Sequence, residues 1–289
     1  MNENNLEYLK KTLDNLGFNN KLNEVLETAI RREIPNFNLG IMTTHRPLHS
    51  VDPKGARTEK VSFDLNFNRS KDSDMYFLND YKVTLQQKDN AVVRSHTFNL
   101  ERDFRMTALQ AFKLLAGQSV EKEVFLKNKN EQNQESSTKQ ERTPVWFKLN
   151  LEVKDAYGNH PMRTFRPEYG YDVEAALKKY PIKGLKDAEK LQEISKALRS
   201  GNIVQADLQI GRRTVPVTLA ANPQMKTIDI YDKDRSQIRD EAIFADKSAS
   251  KSVRVPRSSD LAKDRDAAQQ QMEPNKQETE QGQTSKRGR

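Results

Sequence analysis

Four apolar residues alternate with four polar ones from Val61 to Asn68, the period-two pattern of a strand with one buried face. Longer runs before and after switch between this period and the three-to-four spacing of helices. Leu6, Leu9, Leu13 and Leu16 mark a helix ended by Gly17, and Leu22, Val25, Leu26, Ala29 and Ile30 form the buried stripe of a second, stopped before Pro35. Residues 1–35 therefore read as a helical hairpin.

Residues 36–105 read as a β-meander. Asn38–Thr43 is a short candidate strand, and His45–Thr58 is a loop rich in Pro, Gly and charge. The alternating Val61 segment follows, then strands at Met75–Gln86 and Ala91–Leu100 joined through Lys88-Asp89-Asn90. Three strands with one wet face are expected.

Residues 106–245 repeat one outline. Thr107 and Gln110 have the spacing of a capping box, with Leu109, Phe112 and Leu115 as the apolar face and Gly117 as the stop. A strand at Ser119–Lys127, a polar tip at Asn128–Arg142 and a strand at Pro144–Lys154 come next. Val145, Phe147, Leu149, Leu151 and Val153 share one face of the last strand, and Trp146 falls on the other. A turn at 155–159 leads to a short strand ending near Phe165, and Asp172 caps a helix carrying Val173, Ala176 and Leu177. Asp187 caps a second helix with the stripe Ala188, Leu191, Ile194 and Leu198, stopped at Gly201. Strands IVQADLQI, RRTVPVTLAAN and MKTIDIYD complete the unit. The parallel between LLAGQSVEKEV and ALRSGNIVQADL reads as a helix-strand-strand unit used twice. The fold class is α+β, small antiparallel sheets with helices on one face.

Composition adds a boundary and a charge. Only 35% of the 289 residues are hydrophobic and 31% are charged. Ser248–Arg289 has almost no large apolar side chains, so 246–289 is read as a disordered basic and polar tail. The net charge of +8 admits an acidic partner such as DNA or RNA. Arg212 and Arg213, at a hairpin tip, could meet a phosphate backbone, as could Lys251, Arg254 and Arg257 in the tail. Tyr169 and Tyr171 lie near Arg163 and Arg166, a combination suited to stacking on bases, although Tyr-Gly-Tyr before a helix cap also serves as a turn.

Catalytic signatures are not found. The chain has no cysteine, its four histidines have no metal-ligand spacing, and it contains no Walker loop, G-x-G-x-x-G or G-x-S-x-G. No catalytic residue, metal or cofactor is expected. The N-terminus carries no apolar leader and no stretch reaches membrane-spanning length, so a cytoplasmic location without membrane contact is expected.

Asn66–Ile238, through Tyr169-Gly170-Tyr171-Asp172 and Ala221-Asn222-Pro223-Gln224, resembles an uncharacterised family of bacterial proteins often carried near conjugative or other mobile elements. That resemblance implies a genetic neighbourhood and no activity or site residue. The leading expectation is a non-enzymatic binding or accessory protein associated with nucleic acid. The alternative is a protein–protein adaptor anchored by Trp146, Tyr169 and Tyr171, and a hydrolase is a third reading.

Overall fold

The computed structural model describes residues 2–45, 59–86, 93–101, 104–125 and 142–244. All of the expected polar tip at Asn128–Arg142 but Arg142, most of the loop at His45–Thr58, the turn Lys88-Asp89-Asn90 and the C-terminal tail lie outside the described residues.

Helices α1 (Glu3–Leu16) and α2 (Asn23–Arg31) open the chain. The Asn2 side chain accepts from the Asn5 N–H at 3.0 Å, and Gly17 takes the left-handed φ of 92° that ends α1. Leu6, Leu9, Leu13 and Leu16 are buried as expected. In α2 the stripe is narrower. Leu26, Ala29 and Ile30 are buried, but Val25 is 54% exposed.

Strands β1 (Asn36–His45), β2 (Glu59–Arg69), β3 (Tyr76–Gln86) and β4 (Val93–Asn99) form an antiparallel sheet in that order. The meander thus has four strands, because β1 pairs with β2 along its whole length. Val61, Phe63, Leu65 and Phe67 of β2 all face the core. Asn5 fastens α1 to this sheet: its side chain accepts from the Tyr76 N–H at 2.8 Å and donates to the Tyr76 carbonyl at 3.0 Å. A buried amide is tolerated there because both its ends are satisfied.

Helix α3 (Ala108–Leu115) has the expected capping box, with Thr107 and Gln110 bonding each other's backbone. Its buried face is Ala111, Phe112, Leu114 and Leu115, while Leu109 is 50% exposed. Strands β5 (Val120–Phe125), β6 (Arg142–Leu149) and β7 (Met162–Phe165) form a second sheet. β6 stops at Leu149 rather than continuing to Lys154. The Asp155 carboxylate draws the N–H groups of Tyr157 and Asn159 into a turn, and Val153 is left exposed.

After a short 3₁₀ turn at Pro167–Tyr169 come α4 (Val173–Lys178) and α5 (Ala188–Arg199), capped by Asp172 and Asp187. Ala188 is exposed, so the α5 stripe begins at Leu191. Strands β8 (Val204–Ile210), β9 (Arg213–Asn222) and β10 (Thr227–Tyr231) form the third sheet, with β9 central. Each three-stranded sheet therefore directly follows a helix. The chain then turns back, and α6 (Asp240–Ile243) adds Ile243 to the core beside Ile238 and Phe244.

Two apolar cores result, and β6 belongs to both. Val145, Phe147 and Leu149 enter the first core with the four-stranded sheet and α1–α3; Trp146 enters the second with α4, α5 and the third sheet. Around this wall, Lys113 Nζ donates to the Ser200 carbonyl at 2.6 Å and Arg199 pairs with Glu121 at 2.7 Å. Gly201 sits between them at φ 72°, where a Cβ would lie 2.8 Å from Val120 Cγ2 and 3.0 Å from the Ser119 carbonyl. Gly201→Ala is expected to lower the unfolding free energy by about 2 kcal/mol, from backbone strain together with steric overlap. Urea denaturation of the variant beside the wild type measures that difference; an unchanged midpoint contradicts the close approach.

Candidate functional site

The two segments Tyr169-Gly170-Tyr171-Asp172 and Ala221-Asn222-Pro223-Gln224 meet in space. Tyr169 donates its hydroxyl to the Gln224 carbonyl at 2.7 Å, and Tyr171 donates to the Thr227 carbonyl at 3.1 Å. Gly170 takes a left-handed φ of 77°. It turns the chain so that both rings reach the β9–β10 turn. On the other side Asn222 accepts from the Met225 N–H at 3.2 Å and donates to both Asp229 oxygens, at 2.9 and 3.1 Å. Two turns distant in sequence are clasped together.

The rings of this clasp are occupied. Lys226 Nζ lies 4.4 Å from the Tyr169 ring centroid, a cation–π contact, and Phe165 packs at 5.1 Å. Tyr171 meets Trp146 edge-on at 5.2 Å. Trp146 is only 3% exposed. Expected from the sequence as a partner anchor, it is an interior residue, because a second core covers the strand face that alternation left open. Tyr169 remains 38% exposed, with Lys226 over its ring.

Beside the clasp is a half-buried polar seam. Burial lowers the Lys148 pKa, with Asp229 opposing that shift and Arg163 adding to it. Burial, reinforced by Asp229, pushes Tyr231 up to about 12, and burial raises Tyr171 further. Gln237 also donates to Asp229, at 3.2 Å. The raised tyrosine values keep both hydroxyls protonated, and Asp229 accepts hydrogen bonds from Asn222 and Gln237, an arrangement that suits a structural seam. Arg163 on β7 and Arg166 before the 3₁₀ turn are exposed at its rim.

Arg212 and Arg213 lie elsewhere, at the opposite end of β9. Gly211, at φ 56°, and Arg212 form the two-residue turn between β8 and β9. The Gln209 side chain fixes this tip, donating to the Gly211 carbonyl at 2.9 Å and accepting from Thr214 Oγ1 at 3.1 Å. Both arginines are exposed, and neither makes an ion pair among the described residues. Segment 181–183 runs alongside β8, with Gln209 N–H donating to the Pro181 carbonyl at 2.9 Å and Lys183 N–H to the Asp207 carbonyl at 2.8 Å. That pairing brings the exposed Lys183 alongside β8, next to Asp207. The sequence could not reveal it, since the contact is tertiary. The tail residues Lys251, Arg254 and Arg257 lie outside the described residues.

No protein-family model, curated protein or solved structure matches the chain. Among the described residues no three His, Asp or Glu side chains gather at metal-binding distance. The fold does join two histidines that spacing kept apart. His160 N–H donates to His96 Nδ1 at 3.2 Å, and the neighbouring Thr97 N–H donates to Asn159 Oδ1 at 2.9 Å. Burial first, then the His160 charge, lowers the His96 pKa from 6.5 to about 4. The unfolded chain therefore binds the extra proton more readily, and stability held above pH 6.5 is lost as pH falls toward 4. His96→Asn keeps an acceptor for His160 and removes the titration. Unfolding free energies measured across this pH window should fall less steeply in His96→Asn than in wild type; equal slopes would show that His96 is not the linked group.

Proposed function

We propose that this protein is a non-enzymatic binding or accessory protein that contacts nucleic acid through its phosphate backbone. The carrying observation is the β8–β9 tip. Two arginines are presented on a hydrogen-bonded two-residue turn, free of ion pairs among the described residues, with Lys183 further along the outer side of β8. A phosphate contact needs exposed, uncompensated cations held in a fixed place. Arg163, Arg166 and Lys226 at the clasp form a second basic surface beyond the other end of β9. The net charge of +8 favours approach to a polyanion. The resemblance to proteins carried near mobile elements adds a setting in which a cytoplasmic nucleic-acid accessory has a place, and the two helix-plus-meander segments read as one building unit used twice.

Because the contacts are to phosphate, binding should be indifferent to base sequence and steeply dependent on salt. Fluorescence anisotropy with labelled DNA and RNA of arbitrary sequence is expected to show affinity falling linearly with salt on logarithmic axes. Arg212→Ala with Arg213→Ala should reduce the magnitude of that slope by about 2, near 0.9 for each lost phosphate contact on duplex DNA. No binding even at about 50 mM salt overturns the proposal.

A further inference from the structure

A strand at a sheet edge leaves a row of N–H and C=O groups free to pair with another chain, and stable proteins shorten, charge, bend or cover such edges. Most edges here are managed in one of those ways. β4 is seven residues long, carries Arg94, and gives its Thr97 N–H to Asn159. β5 carries Glu121, Lys122 and Glu123, and β7 is four residues long. β8 is covered by the 181–183 segment, and β10 by the return through Gln237 and Ile238.

Among the described residues, β1 has none of these protections. It runs ten residues, NFNLGIMTTH, without proline, acid, lysine or arginine. Burial holds the pKa of its one ionisable group, His45, below the ordinary value, so at neutral pH the strand is uncharged. Its register with β2 is continuous from Asn36 opposite Asn68 to His45 opposite Glu59, with no bulge to bend it. Among the described residues its backbone bonds to no strand but β2. The exposed apolar side chains nearby are otherwise unaccounted for. Met42, on β1, is 65% exposed, and Val25 projects from α2, the helix that packs on β1. On the core side a groove of about 380 Å³, lined by Leu16, Phe18, Ile41, Phe63 and Leu109, opens beside the same strand.

We propose that β1 pairs antiparallel with β1 of a second copy of this chain, joining two four-stranded sheets across a two-fold axis. An antiparallel strand laid against its own copy is self-complementary: the same donors and acceptors face each other, and the interface closes on two subunits. The uncharged row meets itself without like-charge repulsion, whereas a charged foreign strand would find no counter-charge on it. With the axis near Gly40, Met42 of each subunit lies across from the partner's Asn38, and the bare backbone at Gly40 lets the strands approach. A Cβ at Gly40 would touch nothing closer than Asp64 Oδ1 at 3.5 Å, so a side chain can be introduced there as a probe. The pairing is independent of the nucleic-acid proposal and survives its failure.

The solution mass of the full chain, measured by light scattering after gel filtration at micromolar concentration, tests the pairing. Wild type is expected at twice the chain mass. Met42→Lys places the charge that natural edges carry and should give the monomer mass, with an unchanged circular dichroism spectrum showing that the subunit still folds. The chain has no cysteine, so Asn38→Cys, Gly40→Cys and Met42→Cys each introduce a single thiol. The residue at the axis should form an interchain disulfide on mild oxidation. A monomeric wild type overturns the proposal. So does a dimer that Met42→Lys leaves intact while none of the three cysteines cross-links.

Discussion

The two-sided burial of β6 is the constraint on which the rest of the molecule depends. Most strands in small antiparallel sheets keep one face wet. β6 gives Val145, Phe147 and Leu149 to one core and Trp146 to the other, so a single backbone serves as the wall between them. An aromatic side chain of this size buries roughly 200 Å², worth about 5 kcal/mol of transfer free energy before entropy is counted. That is comparable to the whole net stability of many domains. The polar ties around the wall hold the end of α5 against α3 through Lys113 and Ser200 and against β5 through Arg199 and Glu121, and Gly201 allows the close approach.

With the wall fixed, the surfaces follow. The clasp of Tyr169 and Tyr171 onto the β9–β10 turn backs directly onto Trp146, so its aromatic content serves the fold first. The surfaces proposed for partners lie at the periphery: the arginine tip between β8 and β9, the basic rim at Arg163 and Arg166, and the strand β1, which no other strand among the described residues pairs on its outer side. They lie on different elements, so the proposed self-pairing and the proposed polyanion contact do not compete for the same residues.

Local physics made most elements legible in the sequence. The leucine spacing of α1, the capping box at Thr107, the Asp caps of α4 and α5 and the alternation of β2 each depend on residues within a few positions, and each appears in the structure. Misjudgements came where a distant element decides. Val25 and Leu109 fit their helical stripes, yet among the described residues no facing element covers them. Alternation put Trp146 on the far face of its strand, but only the arrival of α4 and the third sheet, built from residues after 172, turns that face into a core. The clasp, the His96–His160 contact and the pairing of segment 181–183 with β8 share the same cause. Each joins segments whose sequences carry a turn signal or a charge, and no local signal says that they meet.

Trp146, the chain's one tryptophan, also reports on the wall directly. Equilibrium urea unfolding can be followed at once by its fluorescence, which senses the second core, and by far-ultraviolet circular dichroism, which senses all the sheets and helices. A shared wall predicts coincident transitions with one midpoint, because neither core can lose β6 while the other keeps it. Two separated transitions, with the tryptophan signal changing while most secondary structure persists, would contradict it.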